Sequence, residues 1–398
     1  LSKTRSNPAG VIHLLFLTLG VLSLGLNLAP VAGESPYAQW SHGPSTDPAF
    51  FPIGVWLQDP RDAKAYKAAG INLYVGLWKG PTQEQLSRLK LAKMPVICEQ
   101  NETGLTYRNE KIIIGWMHGD EPDNAQPLPM GVGHGFPIPP KDVKTLYHIM
   151  READPTRPVL MNLGQGVAWD GWWGRGPRSG HPEDYPLYVQ GCDIASFDIY
   201  PVIHTHPEVS GNLWLVAEGV KRLLAASDPP KIVWNIIEAA GGHTGRRPTP
   251  DQIRTEVWMS IIHGSRGILY FVHEWKPVFC SRVLLKEVDL YKGVKSINQQ
   301  VLSLARVINS QEPPVPIDVS SSNPEVPLAT LAKRHGESDY LFAVAMRDDA
   351  TKGSFTIQDP TLYHSAEVLG ESRTLTIHQG KFSDEFRGYE VHLFRLRK

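Results

Sequence analysis

The stretch "IIIGWMHGDEPDNA", residues 112–125, decides how the chain is read. Its apolar half has the composition of a strand buried on both faces, as parallel strands are when helices cover them. It ends in Asp120, Glu121 and Asp123, with Pro122 wedged between them. Carboxylates are costly to bury unless paired or protonated. Three of them at the tip of a core strand mark a site there.

Working outward, the same alternation recurs. Apolar runs at 51–56, 71–78, 95–100, 159–164, 193–202, 231–240 and 268–275 read as further strands, eight with the one above. Helical patterns lie between most of them. Asp59 and Pro60 start one, with Gly70 as its stop. Thr249, Pro250 and Gln252 form a capping box at the start of another. The link at 101–111 is too short for a full helix with its loops. Eight apolar strands with helical connections predict a (βα)8 TIM barrel, an α/β fold, over residues 51–308. An open doubly wound sheet lacks its phosphate-binding signature, since no GxGxxG or GxxxxGK[ST] follows any strand.

The character then changes. Residues 309–326 are Pro- and Ser-rich and read as a connector. Residues 327–398 hold short alternating runs between turns, the pattern of a small antiparallel β-sandwich. At the other end, residues 34–50 form a lead-in. Residues 1–33 have a basic start (Lys3, Arg5), an apolar run and small residues near Gly33, as a cleaved export signal does. Secreted or periplasmic localisation is expected, with no stable membrane insertion after removal of the leader.

Among 398 residues, Lys+Arg number 40 and Asp+Glu 41. That balance gives no reason to expect nucleic acid as a partner. The cysteines, Cys98, Cys192 and Cys280, show no zinc spacing and read as small apolar residues.

In a barrel of this kind the active site lies at the C-terminal ends of the strands. Glu121 follows the fourth strand and Glu238 ends the seventh. Glycosidic hydrolysis needs such a carboxyl pair, one to protonate the leaving oxygen and one to attack or to activate water. The order of motifs resembles clan A of the retaining glycoside hydrolases. "GDEP" resembles that clan's Asn-Glu-Pro, and "WNIIEA" its nucleophile strand; "DPTRPV" (154–159) also recurs there. The resemblance implies Glu121 as acid/base, Glu238 as nucleophile, Tyr200 as the nucleophile's hydrogen-bond partner and Trp275 as a sugar platform. No cofactor and no metal are implied. Asp120 departs from the pattern: an amide that would bind a sugar hydroxyl has become a carboxylate beside Glu121, expected to raise its proton affinity.

Further substrate contacts are expected from Trp56, Trp78, Glu99, Trp169, Trp172, His118, His204 and His273, all near strand ends or in the loop after strand five. Aromatic faces stack on sugar C–H faces. The glycine-rich run 168–188, "AWDGWWGRGPRSGHPEDYPLY", is too polar for core and reads as a long active-site loop. The reading is a secreted retaining glycoside hydrolase acting on a carbohydrate. Two alternatives stand beside it: a non-catalytic carbohydrate-binding barrel, and a metal-dependent hydrolase using His204 and His206.

Overall fold

Eight parallel strands close into a barrel in the computed structural model, which describes residues 35–128 and 131–398. The strands are β1 (Ile53–Trp56), β2 (Leu73–Val75), β3 (Val96–Glu99), β4 (Ile113–Met117), β5 (Val159–Leu163), β6 (Ile194–Asp198), β7 (Ile232–Glu238) and β8 (Ile268–Phe271). Helices α1 (Ala63–Ala68), α2 (Gln83–Ala92), α3 (Glu102–Thr106), α4 (Pro140–Ala153), α5 (Tyr185–Tyr188), α6 (Trp214–Ala225), α7 (Pro250–Ile262), α8 (Val288–Ser303) and α9 (Ala305–Ile308) cover it. The third crossover shrinks to α3, as its short link requires. The helical segment after β8 breaks at Leu304 into α8 and α9. The leader-like segment lies outside the described residues; among those described, no helix is long and apolar enough to cross a membrane.

Strand alternation sorts the core into two shells. Leu73, Val75, Ile97, Leu160, Ile194, Ile236 and Leu269 fill the barrel interior. The opposite faces pack against the helices. The lead-in stops the N-terminal end: the Trp234 indole donates to the Tyr37 hydroxyl at 2.9 Å, and that hydroxyl donates to the Arg266 carbonyl at 3.0 Å. The C-terminal end is left as the mouth.

The "DPTRPV" motif has a structural use. Arg157 is fully buried and spends its guanidinium on Asp154 at 2.6 Å and on the carbonyls of Ile113 and Glu110, both at 2.7 Å. Asp154 also accepts from the Trp116 indole at 3.1 Å. This ties α4 to the start of β4.

The sandwich packs a sheet of order β10-β11-β16-β13-β14 on a sheet of order β15-β12-β9. Its strands are β9 (Ile317–Ser321), β10 (Leu328–His335), β11 (Ser338–Ala345), β12 (Thr351–Ile357), β13 (Ser365–Val368), β14 (Arg373–Thr376), β15 (Lys381–Phe386) and β16 (Val391–Arg397). Two of these are poorly marked in the sequence. β9 falls inside the expected connector, where flanking prolines hide a strand whose Ile317 and Val319 touch the sandwich core. β15 is masked by its charges, although Phe382 and Phe386 point inward. The sandwich grips α7: Thr255 donates to the Tyr389 carbonyl at 2.7 Å, Arg254 donates to the Val391 carbonyl at 3.0 Å, and Trp258 packs on Phe342.

Removing one member of a buried ion pair strands the other. Arg157→Ala is therefore expected to cost about 3–5 kcal/mol of stability in urea denaturation. Arg397→Ala, which breaks the exposed pair with Glu367, should leave the transition midpoint nearly unchanged.

Candidate active site

β4 delivers its three carboxylates to different places. Glu121 sits at φ +46°, a left-handed conformation that non-glycine residues seldom adopt. Pro122 and a hydrogen bond from the Glu121 amide to the Asn162 carbonyl (3.1 Å) hold it there. Such strain is stored where a side chain must be aimed. The Asn124 amide donates to Glu121 Oε2 at 2.7 Å, and the Trp172 indole donates to Asn124 Oδ1 at 2.8 Å. The loop after β5 thus orients Glu121 through Asn124.

Asp123 is fully buried and structural. It accepts from the Gly164 amide at 2.9 Å and from the Tyr185 hydroxyl at 3.1 Å, joining the loops that follow β4 and β5. Asp120 reaches solvent just beyond the end of β4. Asn162 donates to its Oδ1 at 3.0 Å, and Ser196 donates to Asn162 Oδ1 at 2.9 Å. A hydrogen-bond chain so crosses from β6 through β5 to the tip of β4.

The partner of Glu121 is Asp198, at the end of β6. The two carboxyls meet, and the Tyr200 hydroxyl also reaches Asp198, while its Oδ1 is buried without a hydrogen-bond partner. Burial pushes Asp198 up to about 7, against the hydrogen bonds from Glu121 and Tyr200. Burial, then the charges of Asp198 and Asp120, holds Glu121 well above the usual carboxyl range. Asp120 rises to about 6, chiefly through desolvation, with Asn162 opposing. These groups titrate as one coupled cluster.

Glu238 stands elsewhere, and here the structure departs from the expectation. Its carboxylate does not open on the mouth: it is fully buried, with Oε1 accepting from the Val202 amide at 2.6 Å and Oε2 from the Ile203 amide at 2.9 Å. Two adjacent N–H groups of the loop after β6 capture both oxygens. Behind it lies Glu256 of α7, also fully buried, whose carboxyl meets Glu238. Desolvation pushes Glu238 up to about 7 and Glu256 well above its usual range. Tyr200, expected beside Glu238, pairs with Asp198 instead.

Aromatic walls flank the mouth. On the β5–β6 side Trp169, Trp172 and Trp173 pack on one another and on His204 and His206. Trp169 donates to Glu208, and His204 Nδ1 accepts the His206 amide at 3.0 Å, so the His-x-His pair closes a turn. Among the described residues, no three His, Cys, Asp or Glu side chains converge as a metal site. On the β8 side, Phe271 packs on Tyr200 at 5.2 Å, and Trp275 stacks on His243 at 4.1 Å. His273 contacts Gln58 at 3.2 Å and is held neutral, pushed down to about 4 by burial. Trp78 is exposed.

Three expected contacts lie away from the mouth or apart from its carboxyls. His118 points outward, its Nε2 2.7 Å from the Gly191 carbonyl, because the strand's alternation turns it from the interior. Trp56 is buried in the barrel's inner shell. Glu99 is exposed at the end of β3, and neither Glu121 nor Asp198 counts it among the neighbours that set its charge. Glu274 forms a two-pronged pair with Arg247 at 2.7 and 2.8 Å. The three cysteines are free thiols.

Sequence reading passed over Asp198, Asn162, Asn124 and Glu256. Asp198 carried a usable signal: with Ser196 it places polar residues at alternate positions in an apolar strand, the second at its C-terminal tip. Glu256 carried none beyond its setting in an apolar helix.

No protein-family model and no curated protein matches the chain. Solved structures share its fold. An α-amylase from Geobacillus thermoleovorans, complexed with acarbose, superposes with a TM-score of 0.54 at 10% identity, over 87% of this chain and 98% of that one. α-Galactosidase I from Mortierella vinacea does so with a TM-score of 0.52 at 10% identity, over 88% and 97%. An Anoxybacillus α-amylase gives 0.52 at 9% identity, over 89% and 99%. At this identity the likeness is one of fold.

Buried carboxyls raised to about 7 have a consequence for stability. Between the unfolded value near 4 and the folded value, the folded chain binds more protons, so stability falls as pH rises through that window. Glu256→Gln removes one such group. The drop in Tm from pH 5 to pH 8 is expected to be smaller in Glu256→Gln than in the parent chain, as read by circular dichroism.

Proposed function

We propose that the chain is a retaining glycoside hydrolase whose working pair is Glu121 and Asp198. The observation that carries this is the contact of the two carboxyls, one from β4 and one from β6, at the open end of the barrel between aromatic walls. Glu121 takes the proton: its neighbours are negative, and its own proton affinity is the more strongly raised. Asp198, hydrogen-bonded by Glu121 and Tyr200, is the carboxylate.

In the first step Glu121 protonates the leaving glycosidic oxygen while Asp198 attacks the anomeric carbon, giving a glycosyl–enzyme ester. In the second, Glu121 as carboxylate takes a proton from water, which displaces Asp198. Retention needs the two carboxyls about 5–5.5 Å apart and inversion a wider gap for water, so a pair that meets directly has to part least for retention. Asp120, reaching solvent beside the pair, is placed to accept a hydrogen bond from a sugar hydroxyl. Glu238 holds the loop after β6 by its two amide contacts and so positions Tyr200. Likeness in fold to an α-amylase and an α-galactosidase supports carbohydrate as the substrate class. The leader-like composition of residues 1–33 supports action outside the cytoplasm.

The test is turnover of a panel of oligo- and polysaccharides with product anomers followed by NMR. Glu121→Gln and Asp198→Asn are each expected to lower kcat at least about a hundredfold, with retained configuration in the parent. Asp120→Asn removes a negative neighbour of Glu121, so the alkaline limb of the pH profile should move towards acid. Glu238→Gln should leave the profile in place. Turnover indifferent to both Glu121→Gln and Asp198→Asn would remove the assignment.

A further inference from the structure

Beside the carboxyl cluster lies a cavity of 770 Å³ that the proposed chemistry does not use. It opens between the loops after β1, β2 and β8. Its apolar surfaces are flat and accessible: Trp78 is 68% exposed, Phe279 59% and Trp275 38%. Large aromatics left this open in one concavity need an occupant. Its polar groups include amides, hydroxyls and ions, Gln58, Gln85, Thr82, Asp59 and Arg61 among them. The charges cancel within the wall: Arg61 pairs with Asp59 at 2.5 Å, and Arg88 with Glu84 at 2.8 Å. Lys79 lies outside this lining, its Nζ 6.0 Å from the Trp78 ring centre.

Rings connect the cavity to the carboxyls. Tyr200 reaches Asp198 and packs on Phe271 at 5.2 Å. Phe271 packs in turn on His273 at 5.2 Å and on Trp275 at 5.9 Å, and both of those line the cavity. A chain of packed rings thus links the proposed bond-cleaving pair to the wall of the cleft.

We propose that this cleft is a subsite for neutral pyranose units of the same chain whose scissile bond lies at Glu121 and Asp198, so that the substrate is an oligo- or polysaccharide rather than a disaccharide. It rests on the reading of the pair given above. Aromatic faces take the sugar C–H faces, while amides and ion pairs take the hydroxyls. The volume falls within the range of pockets that hold small organic ligands, and roughly a disaccharide fits.

The test separates binding from turnover. Malto-, cello-, xylo- and manno-oligosaccharides of two and five units are titrated calorimetrically into Glu121→Gln, alone and combined with Trp78→Ala or Trp78→Phe. Turnover of the same sugars by the parent chain is measured in parallel. In at least one series the pentasaccharide is expected to bind more tightly than the disaccharide. That advantage should fall about tenfold with Trp78→Ala, the scale of one lost aromatic contact, and recover in part with Trp78→Phe. Trp78 is exposed, so neither change threatens the fold. Length-dependent, Trp78-dependent binding without any turnover would uphold the cleft and remove the catalytic reading alone. Equal binding of both lengths, an advantage indifferent to Trp78, or no binding in any series would overturn the subsite.

Discussion

Carboxyl groups crowded into a space that water hardly reaches cannot all be anions. Burial penalises each charge, and each charge penalises its neighbours. The chain imposes this constraint twice. At the mouth, Glu121 meets Asp198; behind β7, Glu238 meets Glu256. Both pairs must share protons near neutral pH, yet their surroundings differ. The pair at the mouth has Asp120 reaching solvent alongside and rings on either side. The inner pair is sealed, and two backbone amides fix its ionised member. The first arrangement keeps its protons close to solvent. The second makes a rigid post for the loop that carries Tyr200.

The barrel was legible in the sequence because its strands are long apolar runs with helices capped by Asp59 or by Thr249 and Gln252 between them. Glu121 was legible for the same reason: a carboxylate at the end of such a run stands out. Glu238 looked equivalent by that criterion. What separates the two is the loop after β6, whose Val202 and Ile203 amides close on Glu238, and no local pattern announces where a distant loop's N–H groups will point. Asp198 was hidden in a strand called apolar as a whole, though its alternation with Ser196 was visible. β9 and β15 are poorly marked for opposite reasons, one inside the proline-rich stretch read as a connector and one among charges.

The aromatic residues show the same division. Trp78 and Trp275 were picked out by position and do line the cleft. Trp56 has an equivalent position at a strand end but turns into the inner shell. A strand end offers both faces, and the choice rests on the phase of the alternation.

The sandwich holds α7 partly through carbonyl oxygens, those of Tyr389 and Val391, which accept from Thr255 and Arg254. A main-chain acceptor is the same whatever side chain its residue bears. Much of this grip on the helix that carries Glu256 therefore depends on the path of the 389–391 backbone and little on its composition. Side chains of the small domain can diverge widely between descendants of this chain while the brace behind the barrel persists.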